Sequence, residues 1–279
     1  MILNGICVRE KVLEELKSNL NSLKVSLCLA IIQVSKDSAS SLYIKEKIAL
    51  AETLGYKYKY YYLEDNVSNE EVINKIDKLN NDSTITGIIL ELPLPEHLDK
   101  ELICSRISPL KDVDCLNNSA TSFSYKYNCL KPATVLAILD LITYYNIDIS
   151  SSNIVIIGRS SHIGIPLVNY LIEKNATVTI CHSYTKNLSK ITNMADVIIT
   201  AVGIKHFLTK DMVSDSSIII DVGITREGNK TYGDADFDNL KDKVDAITPS
   251  VGGVGAITTV EVLNNVYKAY LIQNTKTKV

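Results

Sequence analysis

Residues 154–166 read IVIIGRSSHIGIP, an apolar run of strand length that passes directly into a glycine turn. Gly158 at the end of this predicted strand permits a tight turn. A helix that begins shortly afterwards would point free N–H groups and its positive dipole end at a phosphate. The spacing is not G-x-G-x-x-G, so an ordinary strand-to-helix turn stays open as the alternative. We interpret His162 as a solvent-facing loop residue. The stretch predicts a dinucleotide-binding domain.

The second predicted strand of this domain ends at Cys181, and His182 and Ser183 follow it. Enzymes that use NAD usually carry Asp or Glu here, because a carboxylate binds the ribose 2′-hydroxyl. No acid stands at this position. Arg159 and Ser183, with His182 as a further donor, can instead bind a 2′-phosphate, which favours NADP. The predicted cofactor-binding residues are Gly158, Arg159, Ser160 and Ser183.

Apolar runs of strand length alternate with segments of helical period, which predicts an α/β fold with parallel sheets and crossover helices. Ser68 and Glu71 form a capping-box pattern for a helix through Leu79. Further helices are predicted at residues 39–54, 132–146, 163–174 and 256–272. Strands are predicted at residues 25–34, 56–63, 84–92, 153–157, 177–181, 197–202, 217–222 and 244–247. A polar, irregular stretch at 111–128 interrupts the alternation, and we place a domain boundary there, giving domains at 1–117 and 118–279.

The composition is that of an ordinary globular protein, with 279 residues, 46% hydrophobic and 22% charged. The net charge is −3, and no basic stripe indicates a nucleic-acid partner. No apolar run approaches the ~18 residues of a membrane span, and the first residues lack a signal-peptide pattern. The six cysteines form no Cys-x-x-Cys pair and show no metal-ligand spacing, which is typical of buried thiols in a reducing compartment. We therefore expect a cytoplasmic protein without a metal, a membrane anchor or a nucleic-acid partner.

Six short segments carry a more specific signal through their order along the chain. They are residues 43–47 (YIKEK), 92–95 (LPLP), 111–114 (KDVD), 158–166, 220–224 (IDVGI) and 247–258, which contains Gly252-Gly253. In this order they resemble the motifs of the bifunctional methylenetetrahydrofolate dehydrogenase/methenyltetrahydrofolate cyclohydrolase family over nearly the whole chain. Each segment is common on its own, whereas six in the family's order are not expected by chance.

The resemblance implies two activities on a small-molecule folate substrate. Methylene-tetrahydrofolate loses a hydride to NADP and becomes methenyl-tetrahydrofolate, and water then opens the methenyl ring to 10-formyl-tetrahydrofolate. The hydride step needs a correct pose and no base. The resemblance also implies that residues 1–117 form the folate-binding catalytic domain, that the last helix returns to it, and that the chain is a homodimer through its cofactor domains.

The same resemblance assigns roles to individual residues. Tyr43 and Lys47 are four residues apart and share a helix face; without the family match, a packed tyrosine beside a solvated lysine is the ordinary interpretation. In ring opening a lysine can transfer protons when burial favours its neutral form. Asp114 can accept two hydrogen bonds from the pterin edge, whereas we interpret Asp112 as part of a solvated turn. The other implied site residues are Glu91 in catalysis, Ile224 for the cofactor, and Leu92, Pro93, Pro249, Gly252 and Gly253 for the substrate.

This chain also departs from the family's motifs. Glu91 stands where the family has glutamine, and a carboxylate beside Lys47 favours the charged ammonium and opposes its use as a neutral base. Lys205, Val251 and Ala256 replace prolines in loops, which makes those loops less preorganised. Three alternatives therefore stay open: a chain with one of the two activities, a degenerate paralogue that binds NADP or folate, and an unrelated hydroxy- or amino-acid dehydrogenase of the same fold.

Overall fold

The computed structural model describes residues 1–23, 25–35, 38–117, 129–228 and 230–275, with the backbone alone for 38–42. The chain forms two compact units. The five-stranded unit contains Met1–Lys11 and Thr134–Thr258, and the three-stranded unit contains Val12–Ala133 and Thr259–Val279. The predicted two-domain α/β fold is confirmed. The predicted boundary between residues 117 and 118 adjoins 118–128, which lie outside the described residues, so the domain limits stay a prediction.

The helices and strands alternate along most of the chain. The helices are α1 (Gly5–Asn21), α2 (Ser38–Thr53), α3 (Asn69–Asn81), α4 (Lys100–Ser105), α5 (Ala133–Tyr144), α6 (Gly164–Glu173), α7 (Leu188–Thr192), α8 (Phe237–Leu240) and α9 (Val254–Thr275), with a 3-10 turn at Lys210–Met212. The strands are β1 (Cys28–Val34), β2 (Lys57–Leu63), β3 (Gly87–Leu90), β4 (Asn153–Ile157), β5 (Thr177–Cys181), β6 (Val197–Thr200), β7 (Ile218–Asp221), β8 (Thr225–Glu227), β9 (Lys230–Tyr232) and β10 (Ala246–Ile247).

The three-stranded unit is built on a parallel sheet of order β2-β1-β3. The central strand β1, CLAIIQV, is buried along its whole length, as expected for a parallel strand covered on both faces. The segment 111–113 continues the sheet beyond β3, because the N–H of Ile88 donates to the carbonyl of Lys111 and the N–H of Val113 donates to the carbonyl of Ile88. These bonds fix the position of the loop that carries Asp114.

The last helix packs on the three-stranded unit, as the resemblance implied. The Asn265 side-chain amide donates to the carbonyls of Val113 and Lys131 at 2.8 Å each. The hydroxyl of Tyr56 donates to the carbonyl of Leu263 at 3.2 Å. This return of the chain is confirmed, and it ties α9 to both sides of the 114–130 connection.

The five-stranded unit is built on a parallel sheet of order β10-β7-β6-β4-β5. Its edge extends to the start of the chain, since the N–H of Leu3 donates to the carbonyl of Ile247 and the N–H of Ile247 donates to the carbonyl of Met1. Strands β4 and β5 pair in a register that opposes Ile157 and Cys181. The residues that follow these two strands therefore lie side by side.

Helix α1 and several short elements were not predicted from the sequence. Val8, Val12 and Leu16 are buried at a spacing of four residues, so the helical period of α1 was present in the sequence. The strand predicted at residues 84–92 is shorter in the structure, because only Gly87–Leu90 pairs with β1. The capping box of Ser68 and Glu71 is present at the start of α3 as predicted.

Candidate functional site

A largely buried ion pair joins α2 to the carboxyl end of β3. The Nζ atom of Lys47 lies 2.7 Å from Oε1 and 2.9 Å from Oε2 of Glu91. The side chains are only 12% and 7% exposed, respectively. Lys47 is positioned by α2, which also carries Tyr43 one turn earlier, and Glu91 follows the last residue of β3. The structure thus brings Lys47 into direct contact with Glu91, the residue that replaces the glutamine of the family motif.

Asp114 belongs to the same cluster. It follows Val113, whose backbone is bonded to β3. Burial raises the pKa of Asp114 to about 6, the charge of Glu91 adds to the rise, and the charge of Lys47 and the N–H of Ala133 oppose it. The carboxyl therefore changes charge near neutral pH, within electrostatic range of the ion pair.

The neighbouring residues of the KDVD segment are structural. Lys111 donates from Nζ to three carbonyls at the end of α3, those of Leu79, Asn80 and Asp82. Asp112 is 2% exposed and accepts the N–H groups of Leu116 and Asn117. Burial raises the pKa of Asp112 to about 7. The interpretation of Asp112 as a solvated turn residue is wrong, because its side chain is buried and accepts backbone N–H groups of the turn.

Two polar residues beside the ion pair were missed by the sequence analysis. Gln33 lies next to the end of β1 and is 2% exposed, and its Oε1 accepts the hydroxyl of Tyr60 at 2.7 Å. Burial raises the pKa of Tyr60, and the charge of Glu91 raises it further. A lone glutamine in the otherwise apolar run of β1 was the available signal.

The remaining predicted substrate residues of this unit flank the cluster. Tyr43 is partly buried on α2. Leu92 packs against the core of the three-stranded unit, and Pro93 is exposed. The Leu92–Pro93 peptide bond is cis. Tyr43, Leu92 and Pro93 thus lie in the three-stranded unit with Lys47, Glu91 and Asp114.

The predicted nucleotide loop requires its glycines. Gly158 has φ +121°, and a Cβ there would lie 2.5 Å from the carbonyl oxygen of Ala201. A Cβ on Gly164 would lie 2.1 Å from the carbonyl oxygen of Gly158. Ser160 accepts the N–H of Ile163 on its hydroxyl at the start of α6. This close turn leads into the ten-residue helix α6, whose first N–H groups can hold a phosphate.

Arg159 and Ser183 follow neighbouring strands and are both exposed. The N–H of Gly158 donates to the carbonyl of Cys181 at 2.9 Å, so the ends of β4 and β5 are bonded together. Among the described residues, Arg159 has no carboxylate within ion-pair distance. No acid stands at residues 181–186. A guanidinium without a carboxylate partner among the described residues, with a serine hydroxyl after the end of the neighbouring strand, fits a ribose 2′-phosphate.

Four further predicted residues also belong to the five-stranded unit. Gly252 has φ +78°, and a Cβ on Gly253 would lie 2.2 Å from the carbonyl oxygen of Pro249. The N–H of Gly5 donates to the carbonyl of Gly252 at 2.8 Å, which anchors this loop. Ile224 is 38% exposed. The loop conformation thus depends on glycine, in agreement with the Gly252-Gly253 pattern.

A cavity of about 860 Å³ lies elsewhere, at the amino ends of the strands of the three-stranded unit. Its lining includes Leu27, Lys57, Tyr58, Thr84 and Tyr270. Glu91 follows the carboxyl end of β3, and none of the predicted site residues lines this cavity. The largely buried Lys47–Glu91 ion pair therefore lies at the opposite end of this sheet. Among the described residues, no helix is long and apolar enough to span a membrane.

Comparison with known proteins assigns both parts of the chain. The catalytic-domain model of tetrahydrofolate dehydrogenase/cyclohydrolase matches residues 3–114, and the NAD(P)-binding-domain model of the same family matches residues 132–274. The bifunctional protein FolD of Clostridium novyi is 42% identical over 259 residues, covering 92% of this chain and 93% of the relative.

Solved structures agree with these matches. The bifunctional FolD enzyme of Campylobacter jejuni is 38% identical, with a TM-score of 0.90 over 97% of this chain and 99% of that one. The Trypanosoma brucei enzyme, solved with NADP and an inhibitor, is 26% identical, with a TM-score of 0.90 over 100% of this chain and 99% of that one.

The chain belongs to the tetrahydrofolate dehydrogenase/cyclohydrolase family. It is a bifunctional enzyme of one-carbon folate metabolism, which oxidises 5,10-methylenetetrahydrofolate with NADP and hydrolyses 5,10-methenyltetrahydrofolate. The comparisons support this main interpretation, and nothing in them favours a single activity, a degenerate paralogue or an unrelated dehydrogenase.

Proposed function

We propose that the Lys47–Glu91 pair transfers the protons of the cyclohydrolase step. The supporting observation is the two-pronged contact, 2.7 and 2.9 Å, between two groups that are both largely buried. A pair of this kind can pass one proton between nitrogen and oxygen while its surroundings exclude bulk water. Neither side chain then has to carry an unpaired charge through the whole reaction.

The balance of the hydrolysis explains why a proton-transfer group is needed. Water adds to the methenyl carbon and loses a proton, the bond from that carbon to one ring nitrogen breaks, and that nitrogen gains a proton. One further proton leaves the site, since the cationic methenyl compound becomes a neutral formyl amide. A proton first passes from the Lys47 ammonium to the Glu91 carboxylate. The neutral Lys47 amine then accepts the water proton and delivers it to the ring nitrogen, and Glu91 returns the first proton to Lys47.

Asp114 is assigned to binding rather than to proton transfer. In its charged form a carboxylate accepts two hydrogen bonds from the amino and ring N–H groups of a pterin. Burial raises the pKa of Asp114 only to about 6, so the charged form still predominates at neutral pH. We assign ring stacking to Tyr43, and contact with the substrate to Leu92 and Pro93.

The cofactor residues act by positioning. Bound NADP supplies the hydride acceptor of the dehydrogenase step. Gly158 and Ser160 shape the turn and the start of α6 for the phosphates, and Arg159 and Ser183 hold the 2′-phosphate. We assign Ile224 to the cofactor, and Pro249, Gly252 and Gly253 to the substrate. The chain therefore has to align two bound molecules and needs no base for this step.

Separate assays of the two reactions test this proposal. Turnover of methylene- and methenyl-tetrahydrofolate is followed by absorbance in the wild type and in Lys47→Met. We expect the hydrolysis to fail and the oxidation to persist at a reduced rate. Full hydrolysis in Lys47→Met, after subtraction of the uncatalysed rate, would refute the assignment.

We further propose that the protein is a cytoplasmic homodimer that associates through its cofactor domains, and that its domains are residues 1–117 and 118–279. The six cysteines, all free, agree with a reducing compartment. Sedimentation at micromolar concentration tests the dimer, because about one chain mass would contradict it. Cell fractionation tests the location.

A further inference from the structure

An aromatic residue stands beside the arginine that we assign to the 2′-phosphate. The Cζ atom of Arg159 lies 6.0 Å from the centre of the Tyr184 ring, and the pair is a cation–π contact. Arg159 follows the glycine at the end of β4, and Tyr184 follows Ser183 beyond the end of β5. The N–H of Gly158 donates to the carbonyl of Cys181, so the ends of the two strands are bonded together. The sheet therefore positions the backbone on both sides of the contact.

The turn that carries Tyr184 is fixed by its own hydrogen bonds. The N–H of Tyr184 donates to Nδ1 of His182 at 3.2 Å, and the N–H of His182 donates to the hydroxyl of Thr185 at 2.9 Å. The N–H of Thr185 donates back to the carbonyl of His182 at 2.8 Å. The ring of His182 meets the ring of Tyr184 edge-on at 6.1 Å. The turn thus holds an aromatic ring that is 80% exposed.

A single exposed aromatic residue needs no explanation by itself. Here two observations coincide: the ring contacts a guanidinium without a carboxylate partner among the described residues, and it directly follows the predicted phosphate-binding serine. An exposed arginine samples many rotamers, and binding an anion requires one of them. A ring that contacts the guanidinium reduces the number of rotamers that binding has to select.

We propose that Tyr184 is a positioning residue for NADP specificity, which holds the Arg159 guanidinium beside Ser183 in readiness for the 2′-phosphate. This inference rests on the proposed roles of Arg159 and Ser183. The face of the ring carries the effect, and the phenol hydroxyl is not required. Because NAD has no 2′-phosphate, loss of the ring affects NADP binding and leaves NAD binding nearly unchanged.

Calorimetric titration with NADP and with NAD measures this directly, without reference to activity. In Tyr184→Ala we expect the Kd for NADP to rise about 2- to 30-fold, the range of a cation–π contact, and the Kd for NAD to change less than twofold. Tyr184→Phe should behave as the wild type. Tyr58→Ala, which removes a 38% exposed tyrosine from β2 in the three-stranded unit, is the matched control and should change neither constant.

A double-mutant cycle shows whether Tyr184 affects the Kd for NADP through Arg159. In an Arg159→Ala background, Tyr184→Ala should add little to the Kd for NADP, because the ring acts through the guanidinium. Equal losses for NADP and NAD would overturn the inference in favour of stacking on the shared adenine. An unchanged Kd for NADP in Tyr184→Ala would overturn it as well. If Arg159→Ala itself leaves NADP binding intact, the proposed role of Arg159 fails, and the inference fails with it.

Discussion

The ammonium of Lys47 is bound by both carboxylate oxygens of Glu91, at 2.7 and 2.9 Å, between α2 and the end of β3. The resemblance implies a glutamine at position 91, which would offer the lysine a single oxygen and no charge. The ion pair therefore changes the charge balance near Asp114, whose pKa responds to the charges of both Lys47 and Glu91. The first two predictions follow from this contact.

Replacing Lys47 with methionine should reduce the hydrolysis of methenyl-tetrahydrofolate by about 10²–10⁴-fold, the usual effect of removing a positioned acid–base group. The dehydrogenase rate should fall less, since hydride transfer needs no proton carrier. Lys45→Met removes an exposed lysine from the same helix and serves as the control. Equal losses in the two activities would show that Lys47 supports binding or folding instead.

Replacing Glu91 with glutamine should shift the pH profile of hydrolysis. The carboxylate supplies the negative charge that pairs with the Lys47 ammonium, and an amide at this position supplies none. We expect hydrolysis by Glu91→Gln to reach half its maximum at a lower pH than in the wild type, measured after subtraction of the uncatalysed reaction. Superimposable profiles would make Glu91 a bystander and leave the assignment of Lys47 intact.

Folate binding should weaken as the pH falls through about 6, because the raised pKa of Asp114 lets the carboxyl take up a proton there. The neutral acid loses one acceptor and its charge-assisted hydrogen bonds. Asp114→Asn should raise the KM for folate roughly tenfold or more in both activities. Its KM should also lack the rise in this pH range. A wild-type KM that stays constant from pH 7 to pH 5 in a folded protein would contradict this role.

Replacing Arg159 with alanine should weaken NADP more than NAD. A hydrogen bond to a charged group contributes about 1.5–3 kcal/mol, so we expect kcat/KM for NADP to fall about 10- to 150-fold. The value for NAD should change little. The wild-type comparison is also a test, because a preference for NAD of tenfold or more would exclude the proposed role of Arg159.

Replacing Gly87 with alanine should disturb both stability and substrate binding. The new Cβ would lie 2.4 Å from Cγ1 of Val113, a fully buried side chain that is stiff at χ1. We expect the free energy of unfolding in urea to fall by about 1–3 kcal/mol and the KM for folate to rise, since Val113 precedes Asp114. Adding Val113→Ala should relieve the clash. Unchanged stability in Gly87→Ala would show that β3 moves aside at no cost.

Local sequence patterns predicted the central elements of the sheets well. Asn153–Ile157 and Thr177–Cys181 are found at the predicted residues, because their apolar runs end at turn-forming residues. The ends of β3 and β10 were placed less well. Their lengths depend on which residues find a partner in the neighbouring strand, and that pairing is not encoded locally.

The contacts of the candidate site could be predicted where a family motif is present, and less well where burial determines what a side chain contacts. Lys47 and Glu91 lie 44 residues apart, and only the family's pattern suggested that they meet. Asp112 was misjudged because a polar turn and a buried carboxylate that accepts backbone N–H groups have the same local sequence. Gln33 was missed because one polar residue in a strand is a weak signal without its partner Tyr60.

The return of α9 has a consequence for biosynthesis. The three-stranded unit needs Asn265, fully buried, to satisfy the carbonyls of Val113 and Lys131, and it includes the chain from Thr259 onward. Domains usually fold as their residues leave the ribosome, beginning with the N-terminal ones. Here the unit that carries Lys47 cannot be completed until the last helix has been translated. A nascent chain stalled before residue 259 would thus hold Lys47 in an unfinished domain.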